Sequence, residues 1–198
     1  MIDIIRYGEF KSVGKQKKKH QIILTHTSRN INDYLQSLKF RFNGDFKRIP
    51  NYIITRDGKI LQLLENSEHS EYFKDPNVNR NSIIISLENL GWLQKEPLTT
   101  HYINWIGDIY NGNVFEKKWR DYFFWQPYTE EQMINVSSLC VDLINKMMID
   151  KQVIEYNTII NGVEKIKGIV TKSNFDVLYT DLNPSFNFNE LLKNIENG

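Results

Sequence analysis

The sequence predicts an α/β domain: a mixed β-sheet flanked by helices and carrying an aromatic-rich insertion. Three observations lead there. The runs "HQIILTH" (20–26) and "NSIIISLEN" (81–89) are aliphatic without polar alternation, as expected of strands covered on both faces. In "NYIITRDGKILQLL" (51–64) two β-prone runs flank Asp57-Gly58, a pair suited to the positive φ angles of a tight hairpin turn. "YTEEQMINVSSLCVDLINKMMID" (128–150) places Met133, Val136, Leu139, Cys140, Leu143, Ile144 and Met147 on one helical stripe.

The elements follow in chain order. After the strand at 20–26, "NINDYLQSLKFRF" (30–42) has Ile31, Tyr34, Leu35, Leu38 and Phe42 at helical spacing, with Asn30 or Asn32 as the N-cap. The hairpin at 51–64 and the strand at 81–89 come next. Thr129 and Gln132 form a capping box at the head of the 128–150 helix. "IKGIVTKSNF" (166–175) holds a last strand, and "NPSFNFNELLKNI" (183–195) reads as a turn and a short terminal helix. The order is β-α-β-β-β-α-β-α. A single domain over 1–198 is expected, with 92–127 inserted in it. That insertion contains all four tryptophans, Trp92, Trp105, Trp119 and Trp125, and adds Tyr102, Tyr110, Tyr122, Phe123 and Phe124. Such density predicts a subdomain with its own small core, or one wall of a cleft.

Composition excludes several classes. With 198 residues, 40% hydrophobic and 25% charged, the chain is long enough for a real core. A net charge of +1 gives no footprint for a nucleic acid polymer. The one basic cluster, "KQKKKH" (15–20), reads as a solvated loop. No stretch approaches the roughly 18 apolar residues of a membrane span, so no membrane partner is expected. Cys140 is the single cysteine, which precludes an intrachain disulfide and suits a reducing compartment. The N-terminus lacks the apolar core of a signal peptide, so the expected location is the cytoplasm of the producing cell. Absence of alanine with abundant Asn, Ile and Lys matches an AT-rich genome.

Four segments in combination, "IILTHTSRN", "NYIITRDGKILQLL", "NSIIISLEN" and "YTDLNPSFNF", resemble the zinc-dependent N-acetylmuramoyl-L-alanine amidase family. That family includes phage lysozyme-type amidases and peptidoglycan recognition proteins. The resemblance covers residues 20–91 and 128–192. It implies a zinc ion in a cleft of the sheet, held by two histidines and by an aspartate or cysteine. The ion would polarise the amide carbonyl between muramic acid and L-alanine and activate water. Such chemistry needs three protein ligands and an open position, where a bound water reaches a pKa of about 7.

Carried over residue by residue, His26 matches the first zinc histidine and Asp181 the acidic ligand, with Leu182-Asn183-Pro184 at the centre of its turn. The place of the second histidine holds Thr171-Lys172, and no histidine follows His101. A shifted frame offers only Tyr156. Tyr179 stands where some members have lysine, Ser86 where some have glutamate, and Pro50 where others have tyrosine. His69 falls near a histidine that the family uses on the substrate side.

No residue is assigned a catalytic role. His26 and Asp181 are the candidate metal ligands; against this, His26 is an ordinary polar strand end and Asp181 a cap of the "NPSF" turn. The candidate ligand-binding residues are His26, His69, Lys172, Asp181, Tyr179, Trp105 and Trp119. Lys172, if it lies beside His26 and Asp181, opposes a dication and neutralises the aspartate, a geometry suited to a carboxylate or phosphate; otherwise it points to solvent. His69 is otherwise a surface-loop histidine; His101 lies outside the matched segments, and recruiting it from the insertion is the one alternative source of the missing ligand. Aromatic rings of the insertion either pack on the sheet, stack on a ligand, or support a homo-oligomer.

Two functions compete. One is a phage or bacterial amidase-family protein that binds a small muropeptide-like or anionic ligand, a nucleotide among them, with little or no hydrolysis and with zinc weakly held or absent. The other is an active zinc amidase, a lysin cleaving the muramoyl-L-alanine bond of peptidoglycan.

Overall fold

The computed structural model describes residues 2–97 and 100–198, so Leu98 and Thr99, within the segment expected as an insertion, lie outside the described residues. Six strands build the central sheet: β1 (Ile4–Arg6), β2 (Gln21–His26), β3 (Tyr52–Ile54), β4 (Ile60–Gln62), β5 (Ser82–Leu87) and β6 (Gly168–Thr171). Their spatial order is β1-β4-β3-β5-β2-β6. β3, β5, β2 and β6 run parallel, whereas β4 turns back antiparallel to β3 and pairs in parallel with β1. The sheet is therefore mixed, as the sequence predicts. β1 is an addition, too short to leave a periodic signal.

Four helices cover it: α1 (Ile31–Phe40), α2 (Pro76–Asn81), α3 (Glu130–Met147) and α4 (Phe188–Asn197). Alternate residues of each buried strand feed opposite faces. Ile22, Leu24, Ile83, Ile85 and Leu87 pack with the α3 stripe and with Leu191 and Ile195 of α4. Ile53 joins Tyr34 and Leu38 of α1, while Ile23, Ile84 and Val170 meet Val78 of α2. Val136, Leu139, Cys140 and Leu143 of α3 are fully buried, and each aliphatic side chain among them contributes about 1.5–3 kcal/mol. The predicted caps are present: Asn30 accepts from the Asp33 amide, and Thr129 and Gln132 close a reciprocal capping box.

Two local expectations change. In the Asp57-Gly58 turn only Gly58 takes a positive φ, +82°, and its amide bonds to Thr55 O at 2.9 Å. A side chain there would also meet Asn135 Nδ2 at 2.7 Å and Glu131 Cβ at 3.0 Å, so glycine is required twice over. The basic run 15–20 is not wholly solvated. Lys19 is 1% exposed, with Nζ donating to Glu68 O at 3.2 Å beneath the two-stranded ribbon of Gly14–Lys15 and Glu68–His69.

Trp92–Lys95, Tyr102–Ile103, Ile109–Tyr110, Phe115–Trp119 and Tyr122–Trp125 form a separate antiparallel sheet. Trp92 stacks on Tyr122 at 4.5 Å, and buried Trp125 donates through Nε1 to Lys117 O at 2.8 Å. Side chains tie this sheet to the core: Asn89 Nδ2 donates to Gln126 O at 3.0 Å, and Asn183 Nδ2 to Asn89 Oδ1 at 3.1 Å. Among the described residues no helix is long and apolar enough to cross a membrane.

Candidate functional site

The parallel strands β5, β2 and β6 end side by side, the place where open α/β sheets gather their functional groups. β2 ends in Thr25 and His26, both buried. β6 ends in Thr171, and the chain turns at once through a 3₁₀ turn, Lys172–Asn174. A capping box of Thr171 and Asn174 fixes that turn and so aims Lys172. The returning loop brings Asp181 back, its carbonyl accepting from the Ser173 amide at 2.6 Å.

Asp181 is the hub. Its Oδ2 accepts from the Thr25 hydroxyl, from the His26 backbone amide at 3.3 Å and from Lys172 Nζ at 3.4 Å. Burial alone would raise the Asp181 pKa. The Lys172 and His26 charges, with the bonds from Thr25 and the His26 amide, outweigh burial and hold it at about 2. The carboxylate is thus ionised, with three donors gathered on Oδ2. Lys172 also lies 4.5 Å from the centre of the Tyr179 ring and 5.9 Å from that of Tyr72, a cation framed by one carboxylate and two aromatic faces.

His26 directs Nδ1 to the Tyr128 hydroxyl at 3.4 Å. Its other ring edge faces Gly91, where φ is +80° and a Cβ would come within 3.0 Å of the ring. Burial lowers the His26 pKa; Asp181 opposes that shift and Lys172 adds to it. A layer of hydroxyls lies under these groups. The Tyr72 pKa is pushed up to about 12 by burial first and by the Asp181 charge next, and its hydroxyl sits among Thr25, Tyr34 and Asp181. Burial likewise raises Tyr34 and Tyr128. All three phenols stay protonated at neutral pH and act as donors.

A cavity of about 190 Å³ opens above His26 and Lys172. Among the described residues, five cations reach its walls, Arg29, Arg41, Arg48, Lys74 and Lys172, and no carboxylate lines it. Trp105 forms one wall. Its Nε1 donates to Ser28 O at 2.7 Å, and the Arg29 guanidinium lies 4.9 Å from its ring centre. Donors and positive charge therefore dominate the surface, a match for an anionic acceptor.

Of the sequence-predicted residues, His26, Lys172, Asp181, Tyr179 and Trp105 converge here. His69 and Trp119 do not line the cavity. His69 lies on the ribbon against Gly14, because the hairpin edge pairs with the N-terminal segment. Trp119 packs on Trp125 at 5.5 Å and on Tyr156 at 4.8 Å, so its ring serves the core. Tyr156, the shifted-frame alternative, is buried among Trp119 and Phe188. His101 has its ring 3.0 Å from Asn111 Oδ1. Arg41, Arg48 and Lys74 escaped the sequence reading, since exposed cations on loops carry no periodic signal.

The donor set does not fit the zinc ion that the resemblance implies. His26 and Asp181 meet through the His26 backbone amide, and the Lys172 ammonium lies 3.4 Å from the same carboxylate oxygen. Among the described residues no three His, Cys, Asp or Glu side chains gather at one point.

The comparisons agree with the fold. The family profile described as "N-acetylmuramoyl-L-alanine amidase" matches residues 15–162, ending before Lys172 and Asp181. No curated protein matches significantly. Among solved structures, the amidase LysC from Clostridium intestinale superposes with a TM-score of 0.59 at 14% identity, over 99% of each chain. AmiD from E. coli, solved with the substrate anhydro-N-acetylmuramic acid-L-Ala-D-gamma-Glu-L-Lys, gives 0.53 at 17% identity, over 94% of this chain and 60% of that one. The Ph2119 endolysin from a Thermus scotoductus bacteriophage gives 0.52 at 11% identity, over 98% and 99%. With residues 15–162 matched, well over half of its length, this chain belongs to the N-acetylmuramoyl-L-alanine amidase family.

Proposed function

We propose that this family member binds a small anionic ligand in its cleft and hydrolyses the muramoyl-L-alanine amide little or not at all. The observation that carries the reading is Lys172 Nζ, 3.4 Å from Asp181 Oδ2. An ammonium there supplies the counter-charge a metal would supply, and it repels the metal. Two unit charges about 4 Å apart interact by about 4 kcal/mol at an effective dielectric of about 20, and a dication doubles that. Two protein donors grip zinc weakly, since catalytic sites use three. The cation-lined wall favours carboxylates and phosphates; a muropeptide, the ligand class seen in AmiD, carries the former.

The second reading, an active zinc amidase, draws on family membership and on the adjacency of His26 and Asp181. Peptidoglycan release with added zinc separates the two. The binding reading expects wild-type release no greater than that of His26→Ala, and a rise in Tm with millimolar tripolyphosphate or anhydromuropeptide. Zinc-dependent release abolished by His26→Ala, with no Tm response to either anion, overturns it.

A further inference from the structure

The cavity over Lys172 does not end at its own walls. Arg41, Arg48, Lys74, Phe46 and Phe73 also line a second cavity of about 690 Å³, so the two form one groove running away from Asp181. Its character changes along its length. The inner end carries the five cations without a carboxylate. The outer end adds Phe42 to Phe46 and Phe73, and it has two carboxylates, Asp45 and Glu71, along with Lys47.

We propose that this groove takes a nucleoside polyphosphate, phosphates inward and base outward. The inference rests on the anion-binding reading above. Three observations select this class. Among the described residues, Arg29, Arg41, Arg48 and Lys74 enter no ion pair. Packed around one small cavity with Lys172, these charges repel one another, and a compact chain of phosphates neutralises several at once where a single carboxylate neutralises one. At the outer end, Phe42 is 68% exposed although it stands in the left-handed region at φ 54°, followed by Asn43 at the same φ. A bulky side chain is disfavoured in that conformation. Its ring is 6.1 Å from Phe46, and the Arg41 guanidinium lies 5.5 Å and 5.0 Å from the two ring centres, forming an aromatic shelf beside the cations. Base planes stack on such rings. Asp45 and Glu71 oppose a second anion at the outer end and accept from the exocyclic amino group of a base.

The test uses the full chain and follows tryptophan fluorescence, since Trp105 is 45% exposed at the inner cavity. ATP, tripolyphosphate, adenosine and an anhydromuropeptide are titrated separately. ATP is expected to bind at least about fivefold more tightly than tripolyphosphate, the gain that one stacked base supplies. Phe42→Ala, an exposed and fold-neutral change, should erase that gain and leave tripolyphosphate affinity unaltered. Arg48→Gln should weaken both. Equal affinity for ATP and tripolyphosphate, or an ATP affinity indifferent to Phe42→Ala, overturns the nucleotide assignment and leaves the anion site standing. Tight muropeptide binding with no response to either phosphate also overturns it. Failure of tripolyphosphate and muropeptide alike removes the anion-binding reading as well.

Discussion

Lys172 and Asp181 form a part-buried ion pair, Nζ to Oδ2 at 3.4 Å, at the junction of β6 and the returning loop. The carboxylate is the less exposed partner, at 6% against 22% for the lysine. Removing the lysine therefore strands a buried charge, although the Thr25 hydroxyl and the His26 amide remain bonded to it.

Lys172→Met should destabilise the protein by about 2 kcal/mol, and Asp181→Asn in the same background should cost less than it does alone. Urea unfolding of the four proteins in the cycle reads the coupling directly. Additive costs would mean that the pair contributes nothing beyond its separate side chains.

Lys19 gives a pH signature remote from the cleft. Burial lowers its pKa from 10.5 to about 8. Between those values the unfolded chain holds a proton that the folded protein has released, so stability should rise with pH from about 8 to 10.5. Below pH 8 the buried charge costs about 3 kcal/mol. Lys19→Met should recover that cost at pH 7 and flatten the alkaline rise. Parallel stability-versus-pH curves for the two proteins would contradict the assignment.

Much of this arrangement is legible in the sequence. Unbroken aliphatic runs mark β2 and β5, and the Thr129–Gln132 box marks the head of α3, because buried strands and capped helices leave local patterns. His26 and Asp181 could be paired only through family order, since 155 positions separate them. The five-stranded aromatic sheet was hidden: its strands of two to five residues are too short for alternation to register. Tyr34 reads as one residue of an apolar stripe, yet its hydroxyl joins the polar layer under the cleft. The cationic wall is assembled from four separate segments, carrying Arg29, Arg41 with Arg48, Lys74 and Lys172, so no single stretch of sequence displays it.

Lys172→His should convert the third corner from a repelling ammonium to a neutral nitrogen donor. Its zinc content after dialysis against equimolar zinc should rise well above that of the wild type, because a three-donor set replaces a two-donor one. Equal zinc content in both proteins would show that this position does not face the ion.

Zinc content of the wild-type protein, purified without added metal and measured by elemental mass spectrometry, bears most directly on the claim that Lys172 occupies the place of a ligand. The expected value is far below one zinc per chain, with any bound ion lost on brief exposure to a weak chelator. One zinc per chain that survives the chelator would contradict the account.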